Sequence, residues 1–165
     1  MVTLLHLLVA ALPMHFALQG DTVFTDPFAT EKWEMFTREA SDGHPVYVRG
    51  NIALRALNEK QRFPYRVGFV VAFQNPNRYG LPTDDEAREL TPLENEIDRA
   101  MTGKKLGVPA LIITTGGMRE YVYYSNQPDA VRSQIKKMGP RMHGREVRSY
   151  VTADPGWDVY VRFTQ

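Results

Sequence analysis

Hydrophobic and polar positions change period along this chain in a way that divides it into strands and helices. Around Trp33 they alternate every second residue, with Trp33, Met35 and Thr37 on one side and Glu34, Phe36 and Arg38 on the other. That alternation predicts a half-buried strand. Ser41 to Pro45 form a turn cluster, and residues 46–57 predict a second strand, with a bulge where Gly50-Asn51 breaks the alternation. Residues 67–73 (VGFVVAF) contain no polar side chain, as in a strand buried on both faces. In residues 108–125 an apolar run meets Thr114-Thr115-Gly116-Gly117, and an aromatic run follows. Two glycines between β-favouring segments predict a tight hairpin, because such turns need positive φ.

The period shifts to helical in two places. Thr83 stands as a cap with Glu86 three residues later, and Leu90, Leu93, Ile97 and Met101 then share one helical face. Pro92 interrupts this pattern and predicts a kink or a restart, since it lacks an N–H and crowds the preceding turn. Pro128 opens a second helix, striped by Val131, Ile135 and Met138 and ended by Gly139-Pro140. Residues 146–151 predict a last strand, and Asp154-Pro155-Gly156-Trp157 a turn into a short C-terminal segment. From Val67 onward the order is β-α-β-β-α-β. It predicts an α+β fold with a ferredoxin-like unit, its antiparallel sheet extended by an N-terminal β-hairpin. Residues 31–165 form one domain in this reading. Residues 1–30 are an apolar segment and lead-in loop.

Bulk composition narrows the function without naming it. The chain has 165 residues, a net charge of +1, and no cysteine. One domain of this length buries roughly 70% of its unfolded surface. Near-neutrality removes any polyelectrolyte attraction of the whole molecule to nucleic acid or lipid. The lack of cysteine removes disulfides, thiolate catalysis and sulfur-ligated zinc. Residues 1–18 are apolar apart from Thr3, His6 and His15, but no Lys or Arg precedes Lys32 and no good cleavage site follows. This pattern favours neither export nor a cytosolic address. As a membrane span it is marginal.

No catalytic or metal-binding constellation stands out. The serines lie in no Gly-x-Ser-x-Gly elbow. His6, His15, His44 and His143 are dispersed, and the shared turn of Asp42 and His44 fits solvated residues better than ligands. Thr114 to Gly117 have the composition of a small anion-binding nest, yet a hairpin turn explains them without a ligand. The seven acids of the first helix fit a wet helix face. The reading therefore includes no cofactor, no metal and no catalytic residue.

Charge is distributed more suggestively. Arg132, Lys136, Lys137, Arg141, Arg145 and Arg148 cluster around the second helix and last strand, with Glu146 the acid among them. Pairing with the acidic helix is the plainer explanation. A bipolar surface that docks a protein partner or an RNA backbone is the sharper one. Tyr121 and Tyr123 fall on the strand that carries base-stacking aromatics in RNA-recognition folds, although Arg119 and Glu120 depart from that pattern. Trp33 and Trp157 are assigned to the core.

Several segments together resemble a bacterial family of domains of unknown function, number 695. They are Trp33-Glu34-Met35-Phe36, Phe63-Pro64, Gly80-Leu81-Pro82-Thr83, Leu93-Glu94, Thr114 through Tyr121, Tyr123-Tyr124 and Asp154 through Tyr160. The resemblance covers about residues 31–163. It implies a small domain akin in fold to the ferredoxin-like bacterial inhibitor of ribonuclease E (regulator of ribonuclease activity B), and it carries over no catalytic residue. The expected function is a non-enzymatic binding or regulatory domain that engages a protein partner through a charged surface. Its candidate residues are Arg119, Glu120, Tyr121, Tyr123, Arg132, Lys136 and Lys137. RNA binding and a small hydrolase or transferase at the Gly-Gly hairpin are the alternatives. DNA is not an expected partner, and oligomeric state is left open.

Overall fold

The computed structural model describes residues 26–29, 31–41 and 43–165. The apolar segment 1–20 and Asp42 lie outside the described residues. The architecture is mixed α+β: seven antiparallel strands in the order β1-β2-β4-β5-β3-β7-β6, with three α-helices. The strands are β1 (Trp33–Glu39), β2 (Pro45–Asn51), β3 (Tyr65–Ala72), β4 (Val108–Thr115), β5 (Met118–Ser125), β6 (Arg141–Met142) and β7 (Arg145–Ala153). The helices are α1 (Asp84–Met101), α2 (Pro128–Met138) and α3 (Asp158–Thr164).

Both faces of the sheet are covered, and each core follows from the period-2 alternation of the strands. On one face Val67, Phe69 and Val71 of β3, Ile112 of β4, and Tyr121 and Tyr123 of β5 meet Leu90, Leu93, Ile97 and Met101 of α1 and Val131 of α2. On the other, Val46 and Val48 of β2, Ala110 and Ile113 of β4, and Val122 and Tyr124 of β5 meet Trp157 and Tyr160. The predicted helical stripe of α1 is thus wholly buried. α1 continues through Pro92, which sits on its exposed side, so the helix does not restart there.

The Gly-Gly hairpin forms as predicted. Gly116 and Gly117 have φ of +51° and +80°, the paired positive values of a tight hairpin turn. The loop after β3 closes on this turn: the Gly117 N–H donates to the Gly80 carbonyl at 2.8 Å, and the Phe73 N–H to the Gly117 carbonyl at 2.7 Å. A Cβ on Gly80 would stand 2.9 Å from the Gly117 nitrogen. The Gly80–Thr83 and Thr114–Gly117 segments are therefore two halves of one backbone contact.

Two expectations need correction. β2 ends at Asn51 instead of bulging onward, and a 3-10 turn, Ile52–Ala56, follows. Asn51 terminates the strand through its side chain, whose Oδ1 accepts from the Lys32 N–H and whose Nδ2 donates to the Pro109 carbonyl. The capping box at α1 is half made. Thr83 Oγ1 accepts from the Glu86 N–H at 3.3 Å, but the Glu86 carboxylate turns to the Gln74 and Asn75 N–H groups at 2.5 and 3.0 Å.

Candidate functional site

The candidate residues fall in three separate places. Arg132, Lys136 and Lys137 lie on the exposed side of α2. Arg132 pairs with Asp129 at 3.0 Å, a solvent-exposed contact worth about 0–1 kcal/mol. Lys136 and Lys137 form no ion pair among the described residues. Of the rest of the basic cluster, Arg141 and Arg148 are exposed on β6 and β7, and Arg145 is buried. Arg145, 5% exposed, reaches Glu86 and Glu89 of α1, each at 2.7 Å, so it belongs to the interior. Burial alone pushes the Glu86 carboxyl up in pKa, but its backbone N–H donors and Arg145 outweigh that and hold it below the ordinary value.

Glu120 lies on the α3 side of the sheet, away from its neighbours Arg119 and Tyr121. Its Oε1 accepts the Tyr150 hydroxyl. The Tyr150 ring crosses β3 at Gly68, where a Cβ would come within 2.2 Å of it, and Arg66 lies over the ring with its guanidinium carbon 5.3 Å from the centre. Glu120 is thus committed within the sheet, on the face opposite Arg119.

Arg119, Tyr121 and Tyr123 do come together, on the α1 side. Tyr121 and Tyr123 are 1% and 4% exposed, so they offer no face to a base. Base stacking on this strand is excluded because α1 covers the rings. Tyr123 packs edge-on against Phe69, and burial raises the pKa of both hydroxyls, that of Tyr121 to about 12. The hairpin's polar groups are likewise engaged. Thr115 Oγ1 donates to the Pro45 carbonyl at 3.0 Å, and Thr114 Oγ1 accepts from Arg119 Nε at 3.2 Å. These bonds, with that of the Gly117 N–H to Gly80, make the hairpin a structural junction.

The α1 flank beside β1 and β2 holds a feature that sequence reasoning missed. A cavity of about 160 Å³ is lined by Glu31 and Trp33 at the start of β1, Arg49 of β2, Glu94 and Asp98 of α1, and the two tyrosines, among others. Arg49 lies across its aromatic wall, 5.6 Å from the Trp33 ring centre, and pairs with Glu94 at 3.4 Å. Arg119 approaches the other oxygen of Glu94 at 3.8 Å. Trp33 Nε1 donates to Glu31 at 2.8 Å. Trp33 is only half-buried, unlike Trp157, and belongs to this wall as much as to the core. The Tyr121 hydroxyl is buried with the Arg119 guanidinium as its charged neighbour, and it makes no hydrogen bond of good geometry. No local motif marks this cavity, because its lining comes from four strands and α1, which lie far apart in sequence.

On the opposite face the C-terminal Asp-Pro-Gly-Trp segment builds a closed structural hub. Trp157 takes φ of +57°, stacks on Tyr124 at 3.9 Å, and donates Nε1 to the Phe63 carbonyl at 3.0 Å. The segments gathered in these contacts, from Trp33 to the Trp157 hub, are those of one family: the sequence model for a "Family of unknown function (DUF695)" matches residues 31–164. The chain belongs to this family. No curated protein and no solved structure matches it significantly. In DUF695 terms, the matched span takes in the whole sheet, all three helices and the cavity.

Among the described residues no group of three or more His, Cys, Asp or Glu is placed to hold a metal ion. No described helix is long and apolar enough to cross a membrane.

Proposed function

We propose that this domain is a non-enzymatic binding or regulatory module that docks an acidic surface of a protein partner through α2. The observation that carries the reading is the division of the basic cluster. Arg145 is drawn into an internal pair with Glu86 and Glu89, whereas Lys136 and Lys137 stay exposed, outside any ion pair among the described residues, beside Arg132. Cations that fold stability does not use are free to steer and orient a partner. A ferredoxin-like arrangement supports this reading: the strand order β4-β5-β3-β7, with α1 and α2 on one face, fits a β-α-β-β-α-β unit. The covering of the other face by α3 departs from the open sheet of such folds, and it turns attention from the sheet to the helices. Kinship in fold to the ribonuclease E inhibitor, and a bacterial setting, belong to this proposal.

The test is affinity capture with the wild-type protein and the R132E/K136E/K137E variant, with and without ribonuclease, followed by reconstitution with the purified partner. The proposal expects a ribonuclease-resistant partner whose direct binding weakens with salt and is lost in the variant. Equal binding by the folded variant overturns the α2 surface. Loss of the partner on ribonuclease treatment overturns direct protein docking.

A further inference from the structure

We infer that β1 is the interface of a dimer, in which it pairs antiparallel with β1 of a second copy of this chain. Among the described residues β1 ends the sheet, and no strand pairs with its outer side. Its inner side is fixed by bonds just beyond its two ends. The Ile52 N–H donates to the Lys32 carbonyl at 2.7 Å, and the Ala40 N–H to the His44 carbonyl at 2.9 Å. The register to β2 is unbroken between them, so the even-numbered residues of β1 turn their backbone groups toward β2. Trp33, Met35, Thr37 and Glu39 therefore present N–H and C=O groups outward, along seven residues with neither proline nor bulge. Such an edge is a template for another strand.

The spacing of charge along β1 selects a second copy as that strand. In a two-fold pairing centred on Phe36, the exposed Glu34 stands opposite the exposed Arg38 of the second copy, and Arg38 opposite its Glu34. These even-numbered positions form the non-hydrogen-bonded pairs, where facing side chains come closest. A shift of register by one pleat in one direction sets Lys32 against Arg38. The opposite shift leaves Glu34 facing Ala40 and Arg38 facing Phe36. Charge on an edge strand ordinarily deters pairing, but here it is self-complementary in one register. Arg38 donates within its own chain to the Thr37 and Gln165 carbonyls, at 3.0 and 3.1 Å. Both bonds are exposed to solvent, and pairing replaces the first with one from the Met35 N–H of the second copy.

The apolar side chains agree with the same register. Met35 and Tyr47 are 61% and 37% exposed, two of the three large hydrophobic side chains exposed among the described residues. Both lie on the α1 face of the sheet, where Tyr47 is the β2 neighbour of Thr37. Pairing centred on Phe36 sets Met35 against Thr37 of the second copy, with that copy's Tyr47 next in the same row. The exposed apolar groups of this edge thus collect over the junction. On the α3 face the half-buried Phe36 meets its symmetry mate across the axis, an aromatic pair at a position of close approach. Arg38 and Arg55 already flank that ring, 5.9 and 5.7 Å from its centre.

The test is sedimentation equilibrium of the full chain over a concentration series, with amide exchange at Met35 and Thr37 followed in the isotope-labelled protein. The proposal expects a monomer–dimer equilibrium in which those two amides exchange more slowly as the dimer fills. Glu34→Arg and Arg38→Glu each set like charges against one another at both symmetric pairs, so each is expected to weaken the dimer by about tenfold or more. An equimolar mixture of the two variants is expected to regain the association, because every charge then faces an opposite one. Thermal midpoints near that of the wild type establish that both variants are folded. A chain that stays monomeric at all concentrations overturns the interface. So does a dimer indifferent to both variants, or a mixture that associates no more tightly than either variant alone. Met35 and Thr37 amides protected equally in the monomer assign the edge to another segment of the same chain, and this too overturns the proposal.

Discussion

Tyr124 and Tyr121 stand three residues apart on β5, point to opposite faces of the sheet, and are both buried. Tyr124 is fully employed. Its ring stacks on Trp157, and its hydroxyl donates to Asp154 at 2.7 Å and accepts from the Tyr160 N–H at 3.4 Å. Burial and the Asp154 carboxylate raise its pKa far above the ordinary value. Tyr121 has the burial without a bond of good geometry: its hydroxyl has the Arg119 guanidinium as its charged neighbour, and that charge opposes the rise in pKa that burial causes. The same residue type on one strand is therefore a fully bonded keystone on one side and a hydroxyl without a bond of good geometry on the other. The α3 face is closed for stability. The α1 side carries Lys136 and Lys137 at its surface outside any ion pair among the described residues, and each face holds one buried polar atom outside hydrogen-bond geometry, the Tyr121 hydroxyl on this side and Arg66 Nε on the other.

The largest effect that would sharpen this contrast is at the closed hub. Trp157→Ala leaves a cavity beneath Tyr124 and removes the bond to the Phe63 carbonyl, so it is expected to cost about 3–5 kcal/mol by chemical denaturation. The buried pair linking α1 to β7 comes next. Glu86→Gln weakens the partner of a buried Arg145, and a loss of about 3 kcal/mol at neutral pH is expected. The pH dependence is signed. The folded-state pKa of Glu86 lies below its unfolded value, so its stabilisation is complete above the unfolded carboxylate range and is lost as pH falls through the folded pKa. The difference between wild type and Glu86→Gln should shrink on acidification, and a difference constant with pH would remove the charge from the explanation.

How far these features were legible in the sequence depends on whether one segment carries them. The α1 stripe, the Gly116-Gly117 turn and Pro128 at the start of α2 were readable because each is decided within a few residues. The end of β2 was not, since Ile52 and Leu54 prolong the alternation while the terminating bonds of Asn51 reach Lys32 and Pro109. Nor was the fate of the tyrosines. Alternation places Tyr121 and Tyr123 on one side of β5, but only the packing of α1 decides that this side is covered. The basic cluster misled for the same reason. Arg145 and Lys137 are alike in sequence and differ in whether Glu86 lies within reach. The cavity could not be read at all, because Trp33, Arg49 and Tyr121 meet through the strand order and Asp98 joins them through the packing of α1 on the sheet.

Smaller effects discriminate between the faces more finely. Charge reversal at Arg132, Lys136 and Lys137 should leave the thermal midpoint nearly unchanged, since these side chains are exposed and contribute little to folding. A large fall in the midpoint would assign them a structural task and weaken the docking proposal.

The most direct measurement is parallel urea denaturation of Tyr124→Phe and Tyr121→Phe. Removing the Tyr124 hydroxyl strands a buried Asp154 oxygen, and a loss of about 1–3 kcal/mol is expected. Removing the Tyr121 hydroxyl breaks no hydrogen bond of good geometry and leaves Arg119 with Thr114 and Glu94, so stability should change by no more than about 0.5 kcal/mol, or rise. Equal losses in the two variants, or a larger loss at Tyr121, would contradict the division between a closed face and an open one.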